Sequence, residues 1–317
     1  MLRRSKFKGL TISHAKYLFL LLAAAGSLAA QKSDDTPTFR TDTRLVVLHV
    51  TVVDKNGRLI TTLPESAFRV FENGVPQQVK LFKREDVPVS MGLIIDNSGS
   101  MRDKRQKVAA AAVALVKDSN REDEAFVVNF NDDAYLDCDF TNNVEKMDQA
   151  LSRIDSRGGT AMREAISMSI DHMKEKAKKD KKVILVVTDG NDNASTISLE
   201  NLVKKAQQSE VIIYAVGLLN EEEKREAHRA KRALDLLTEA TGGQAYYPKE
   251  LADVERIAHQ LAHDIRNQYI IAYTPATLDG SFRQIRVVAS GPGHPTARTR
   301  TGYYATPEAV SKTNSGQ

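Results

Sequence analysis

One cysteine, Cys138, in 317 residues excludes an intramolecular disulfide, so the fold has to be held by its core. Asp137 and Asp139 flank that thiol and disfavour its thiolate, which argues for a structural rather than a reactive cysteine. No cysteine lies near residues 27–29, so a lipid-anchored form is not expected. Long apolar runs are lacking too: residues 17–25 fall short of the ~20 that a membrane span takes. A charge excess is absent once the first 30 residues are set apart. They carry five of the 45 basic residues and no acid, leaving 40 basic against 41 acidic. There is no basic stripe interleaved with aromatics, and nucleic acid is not an expected partner.

Several catalytic signatures are missing as well. Neither Ser98 nor Ser100 stands in G-x-S-x-G, and no motif places a histidine to activate either one. His259 and His263 have the spacing of a zinc helix, but Gln260 occupies the place of the catalytic glutamate; two histidines on a solvated or interdomain face is the expected reading. The acidic stretch Asp189-Gly190-Asn191-Asp192 resembles that of haloacid-dehalogenase-like phosphatases, yet position 98 is serine where those enzymes need a second aspartate. Asp54-Lys55-Asn56-Gly57 lacks the distal glutamate of a calcium loop and reads as a turn. The chain is therefore expected not to be an enzyme.

What is present divides the chain into five parts. Residues 1–30 have basic residues, an apolar run and small residues at 27–29, the layout of a secretory signal peptide, with an uncleaved anchor as the alternative. Export to the periplasm or the extracellular space is expected, with no membrane span after cleavage. Residues 31–86 form a β segment: positions 46–53 alternate with period two, and 68–82 read as a hairpin around Asn73-Gly74. Residues 87–266 alternate strands (90–95, 125–130, 134–140, 183–187, 211–216, 244–247) with helices (103–117, 144–154, 161–178, 199–208, 222–241, 251–266). The unbroken apolar runs at 183–187 and 211–213 fit central parallel strands, so the fold class is α/β with a doubly wound, mostly parallel sheet. Residues 267–306 return to β character, with strands expected at 269–273, 282–289 and near 298–304. The two β segments, each too small alone, are expected to pair into one small sandwich. Residues 307–317 carry no pattern and are expected to be disordered.

Ligands in such a sheet bind beyond the carboxyl ends of the strands. The strand at 90–95 runs into Asp96, Ser98 and Ser100, the strand at 183–187 into Asp189, and Gly158-Gly159-Thr160 precedes a helix. Three loops thus deliver oxygen ligands only, which suit a hard cation. With two carboxylates and otherwise hydroxyls, the ion would keep positive charge and an exchangeable position for an anion.

Asp96-x-Ser98-x-Ser100, Thr160 after a glycine and Asp189 in Thr-Asp-Gly resemble the metal-ion-dependent adhesion site of von Willebrand factor A and integrin inserted domains, over about residues 87–266. The resemblance implies a site for Mg²⁺ (or Mn²⁺ or Ca²⁺). Ser98, Ser100 and Thr160 would bind the ion directly, Asp96 and Asp189 directly or through water, and a partner's Asp or Glu would complete the shell. The flanks 68–77, 269–275 and 300–304 resemble a bacterial family of exported von Willebrand factor A-related proteins, many of them acidobacterial. A metal that merely staples the loops of an envelope protein that binds through its sandwich, and a metal-assisted hydrolase, are the competing readings.

Overall fold

The period-two run forms β1 (Thr43–Val53) in the computed structural model, which describes residues 43–84, 86–118, 120–152, 156–220, 223–307 and 311–313. The expected signal peptide lies outside these residues. β2 (Phe68–Glu72) and β3 (Val75–Gln77) make a hairpin whose Asn73 and Gly74 have φ of 48° and 80°, the left-handed pair that a tight two-residue turn requires. The hairpin ends sooner than the sequence suggests, because β4 (Leu81–Lys83) crosses to another sheet.

The α/β part follows as β5 (Val89–Asp96), α1 (Arg105–Lys117), β6 (Glu124–Phe130), β7 (Ala134–Thr141), α2 (Val144–Leu151), α3 (Met162–Lys176), β8 (Lys181–Thr188), α4 (Leu199–Gln208), β9 (Val211–Gly217), α5 (Lys224–Thr241), β10 (Ala245–Tyr246) and α6 (Asp253–Arg266). α1 starts two residues later than expected, since Gly99–Met101 form a 3₁₀ turn closed by the Met101 amide on the Ser98 carbonyl. The six strands lie in the order β10-β9-β8-β5-β6-β7, all parallel except β7, which runs antiparallel on β6. β5 is buried at all eight positions. Leu93 and Ile95 face one helix layer with Val108, Leu115 and Leu261, whereas Ile94 faces the other with Ile166, Ile170 and Leu237. From β5 the chain winds to one side through β6 and then returns to the other through β8. That reversal opens a crevice at the carboxyl ends of β5 and β8.

Five more strands complete the fold: β11 (Tyr269–Tyr273), β12 (Phe282–Ala289), β13 (Thr296–Arg298), β14 (Gly302–Tyr304) and β15 (Ser311–Thr313). They pair with β1–β4 in two antiparallel sheets, β13-β1-β11-β4 with β15 also on β1, and β14-β12-β2-β3. Val46, Leu48 and Val50 of β1 share one core with Val70, Tyr269, Ile271, Ile285 and Val287. The Tyr273 and Tyr303 hydroxyls both donate to Glu72 Oε2, at 2.5 and 2.9 Å, so a buried carboxylate clips the two sheets together.

Two expectations change here. The run near 298–304 is two short strands in different sheets, because residues 299–301 turn past the end of α5, where the Thr301 amide meets the Ala240 carbonyl. Of the patternless tail, 308–310 and 314–317 lie outside the described residues, while 311–313 form β15 on the first residues of β1, where backbone pairing needs no side-chain alternation. All described residues belong to one compact unit, Asp42–Gln317, and among them no helix is long and apolar enough to cross a membrane.

Candidate functional site

β5 and β8 are adjacent and in register, Ile95 opposite Val187, so the residues that follow each emerge side by side. Asp96, the last residue of β5, is fully buried; its Oδ1 accepts the Ser98 amide at 2.8 Å and its Oδ2 the Thr188 hydroxyl at 2.5 Å. The Ser98 and Ser100 hydroxyls lie 3.2 Å apart, and Ser100 donates to Asp189 Oδ1 at 2.7 Å. Four of the five expected ligands thus form one hydrogen-bonded chain across two strand ends. The fifth, Thr160, lines with Ser100 and Asp189 a cleft of about 170 Å³. Its Oγ1 lies 4.0 Å from where a Cβ on Gly190 would stand.

The loop that carries Thr160 is fixed from three directions. Asn193 Oδ1 accepts the Thr160 amide at 2.9 Å, and the Asn193 amide donates back to the Thr160 carbonyl at 3.1 Å. Asp132 Oδ1 accepts the Gly159 amide at 2.7 Å. The Gly158 carbonyl takes the Gly99 amide at 3.3 Å, which joins the first and second ligand loops. Gly158 has φ of 73°, and a Cβ there would stand 2.0 Å from Asp132 Oδ2, so only glycine allows this approach. At the start of α3 the Glu164 carboxylate takes the Thr196 amide and hydroxyl and the Ile197 amide, tying the loop after β8 over the Thr160 loop.

Burial pushes the Asp96 carboxyl above its usual range, and the nearby Asp189 charge adds to that, against the hydrogen bonds from Ser98 and Thr188. A cation near both would relieve this. Two internal cations already stand close. The Lys104 ammonium pairs with Asp189 Oδ2. Fully buried Arg105 points its guanidinium at Asn129 and Asn97, and burial draws its pKa down to about 10 while Asp96 opposes the shift. The cleft also presents Glu223 and Glu226, and its lining contains no histidine or cysteine. Among the described residues no three His, Cys, Asp or Glu side chains gather to hold a metal. Any ion here would rely on hydroxyls beside Asp96 and Asp189, an all-oxygen donor set that suits Mg²⁺ better than a transition metal.

Sequence reasoning passed over Thr188, Lys104, Asn193 and Asp132. Thr188 directly precedes Asp189, and Lys104 stands four residues after Ser100, so their positions offered a signal. Asp132 and Asn193 offered none, being 27 and 33 residues from the amides they hold. The two histidines of α6 lie outside the cleft, and His259 pairs with Asp118.

Residues 91–191 match the von Willebrand factor type A domain family. No curated protein matches the chain. Similar solved structures include a von Willebrand factor type A protein from Catenulispora acidiphila, 13% identical over 84% of this chain and 75% of its own, with a TM-score of 0.48. The von Willebrand factor domain of the type V pili tip protein Mfa5 from Porphyromonas gingivalis is 13% identical over 57% of this chain and 97% of its own, with a TM-score of 0.46. The PilB minor pilin from Streptococcus sanguinis is also 13% identical over 57% of this chain, with a TM-score of 0.46; the match spans 62% of the pilin's length.

Proposed function

From the match of residues 91–191 to the von Willebrand factor type A domain family, we propose that this protein is an exported, non-enzymatic binding module whose divalent cation, Mg²⁺ by preference, holds an Asp or Glu carboxylate of a protein partner. The observation that carries the reading is the run of oxygens from Asp96 through Ser98 and Ser100 to Asp189, ending in a cleft shared with Thr160. Ser98, Ser100, Thr160, Asp96 and Asp189 would hold the ion, which when bound supplies positive charge and an open coordination position. Glu223 and Glu226 line the cleft beside Asp189, whose charge Lys104 offsets, so a bound cation would supply the positive charge that a partner's carboxylate needs. Thr188 and Asn193 keep the ligands aimed. Export is supported by the layout of residues 1–30.

The test is calorimetry with Mg²⁺ and Mn²⁺ on the full chain, followed by partner capture from native envelope with and without chelator. Saturable binding lost in Asp96→Ala, and capture lost with chelator, are the expected results; binding undiminished in the variant would falsify the proposal. The contacts that already join the three loops, Ser100 to Asp189 and Gly99 to Gly158, favour one second reading, in which the metal only staples those loops and the antiparallel sheets carry the adhesive surface. Capture that survives chelation while the melting temperature falls would select it.

A further inference from the structure

A cavity of about 480 Å³ lies at the opposite pole of the six-stranded sheet from the ligand loops, where β8 and β9 begin beside β1, β4 and β11. Its volume is that of a small-molecule site. Val47, Leu81 and Ile270 give it an apolar wall. Its charged lining is four lysines and Arg300 against Asp180 and Glu210, and it reaches the surface at Lys178 and Asp180, both exposed.

Three residues of this lining, from two separate segments, bury polar atoms without a hydrogen-bond partner among the described residues: His49 Nδ1, Thr299 Oγ1, and Nε and Nη2 of Arg300. Arg105, Arg163, Arg283 and Arg298 also keep unmet guanidinium nitrogens, but of these five arginines Arg300 is the one that lines this cavity, where an acceptor would meet its two donors and the neighbouring Thr299 hydroxyl together. Arg300 is held ready, its Cζ 5.1 Å from the centre of the Tyr303 ring, and Tyr303 is in turn anchored on Glu72. The chain around it cannot shift easily, because the Ile285 amide holds the Thr301 carbonyl at 2.8 Å and the Thr301 amide meets Ala240. Charges of both signs bear on the site: burial draws Arg300 down, and Glu210 is the largest charge opposing that. Burial, then Lys181, Arg300 and Lys182, holds the His49 imidazole well below its usual range, and burial draws Lys181 down to about 7.

We propose that this cavity binds a small amphipathic anion, an apolar body ended by a carboxylate or phosphate, with Arg300 and Thr299 taking the anionic end and Val47, Leu81 and Ile270 the body. Neither the cation nor the partner of the acidic cleft enters this site.

The test is calorimetry of the full chain with octanoate, octyl phosphate, octanol and octylamine. One octanoate or octyl phosphate per chain is expected, at least tenfold tighter than octanol or octylamine, and the relative strength of the two anions tells carboxylate from phosphate. Affinity should rise by about fourfold per methylene from hexanoate to octanoate, as apolar burial requires. Arg300→Gln should weaken octanoate at least tenfold. Thr299→Val, which keeps the shape and removes one donor, should weaken it several-fold and decides the matter if the arginine variant does not fold. No saturable binding by the full chain, equal affinity for octanol and octanoate, or undiminished octanoate affinity in the folded variants overturns the proposal.

Discussion

Lys104 and Asp189 form an ion pair on the carboxylate that also accepts the Ser100 hydroxyl, so an amine of the chain itself stands where an outside cation would compete. The Asp189 side chain is 1% exposed and that of Lys104 31%, which makes the lysine the partner able to swing away. Lys104→Met is therefore expected to tighten Mg²⁺ by roughly three- to fivefold, the upper part of the range for ion pairs that water still reaches on one side. Unchanged or weaker affinity by calorimetry would show that the lysine does not compete.

Asp96→Asn separates ligation from folding. Its carboxyl is raised in the fold, so ionisation there costs stability at neutral pH, and that cost fades as the pH falls through the raised value and is gone below the ordinary carboxylate range. An asparagine keeps an acceptor for the Ser98 amide, and the Thr188 hydroxyl can turn to accept instead of donate. In chelator the variant should melt no lower than the parent. Mg²⁺ at a hundred times its dissociation constant should raise the parent by roughly 5 °C and leave the variant unmoved. A variant that melts far lower in chelator would mean that Asp96 is structural.

Glu164 predicts a pH signature away from the ligands. Burial alone would raise its pKa, but the hydroxyls of Ser195 and Thr196 and the amides of Thr196 and Ile197 outweigh it and bring it from 4.5 to about 2. A depressed carboxylate contributes stability that is complete above the unfolded value and is lost as pH falls through the folded one. The gap in melting temperature between the parent and Glu164→Gln is expected to be full at pH 6 and to close between about pH 4.5 and 2. A gap constant across that range would contradict the assignment.

Tyr273→Phe should destabilise the paired antiparallel sheets. It removes one of two donors to buried Glu72, which leaves that carboxylate less satisfied at a cost of about 1–3 kcal/mol. Denaturant unfolding reads this directly, and a change under 0.5 kcal/mol would mean that Tyr303 alone suffices.

The sheet was legible where burial on both faces wrote an unbroken apolar run, as in β8 and β9, and the strand-end oxygens were legible because 96, 98 and 100 follow a strand with nothing between them but an asparagine and a glycine. What holds those oxygens was not. Asp132 and Asn193 meet the Gly158-Gly159-Thr160 loop only because β6 and β8 deliver them to the same end of the sheet, and sequence distance hides that. The cavity at the other pole was hidden for the same reason, since His49 and Arg300 are 251 positions apart in a chain whose β1 lies against its last strands. β7 alternates weakly because its register on β6 shifts twice, between Ala125 and Val127 and between Val127 and Val128.

β1 and β15 run antiparallel with Thr43 opposite Thr313, so the polypeptide enters and leaves this body at neighbouring points. Tension drawn through both points loads that ladder as a zipper, one rung at a time beginning at Thr43, rather than in shear across all rungs together. A protein tethered on one side and tugged on the other would give way at this seam first. The strands that present Asp96 and Asp189 would stay folded while β15 peels.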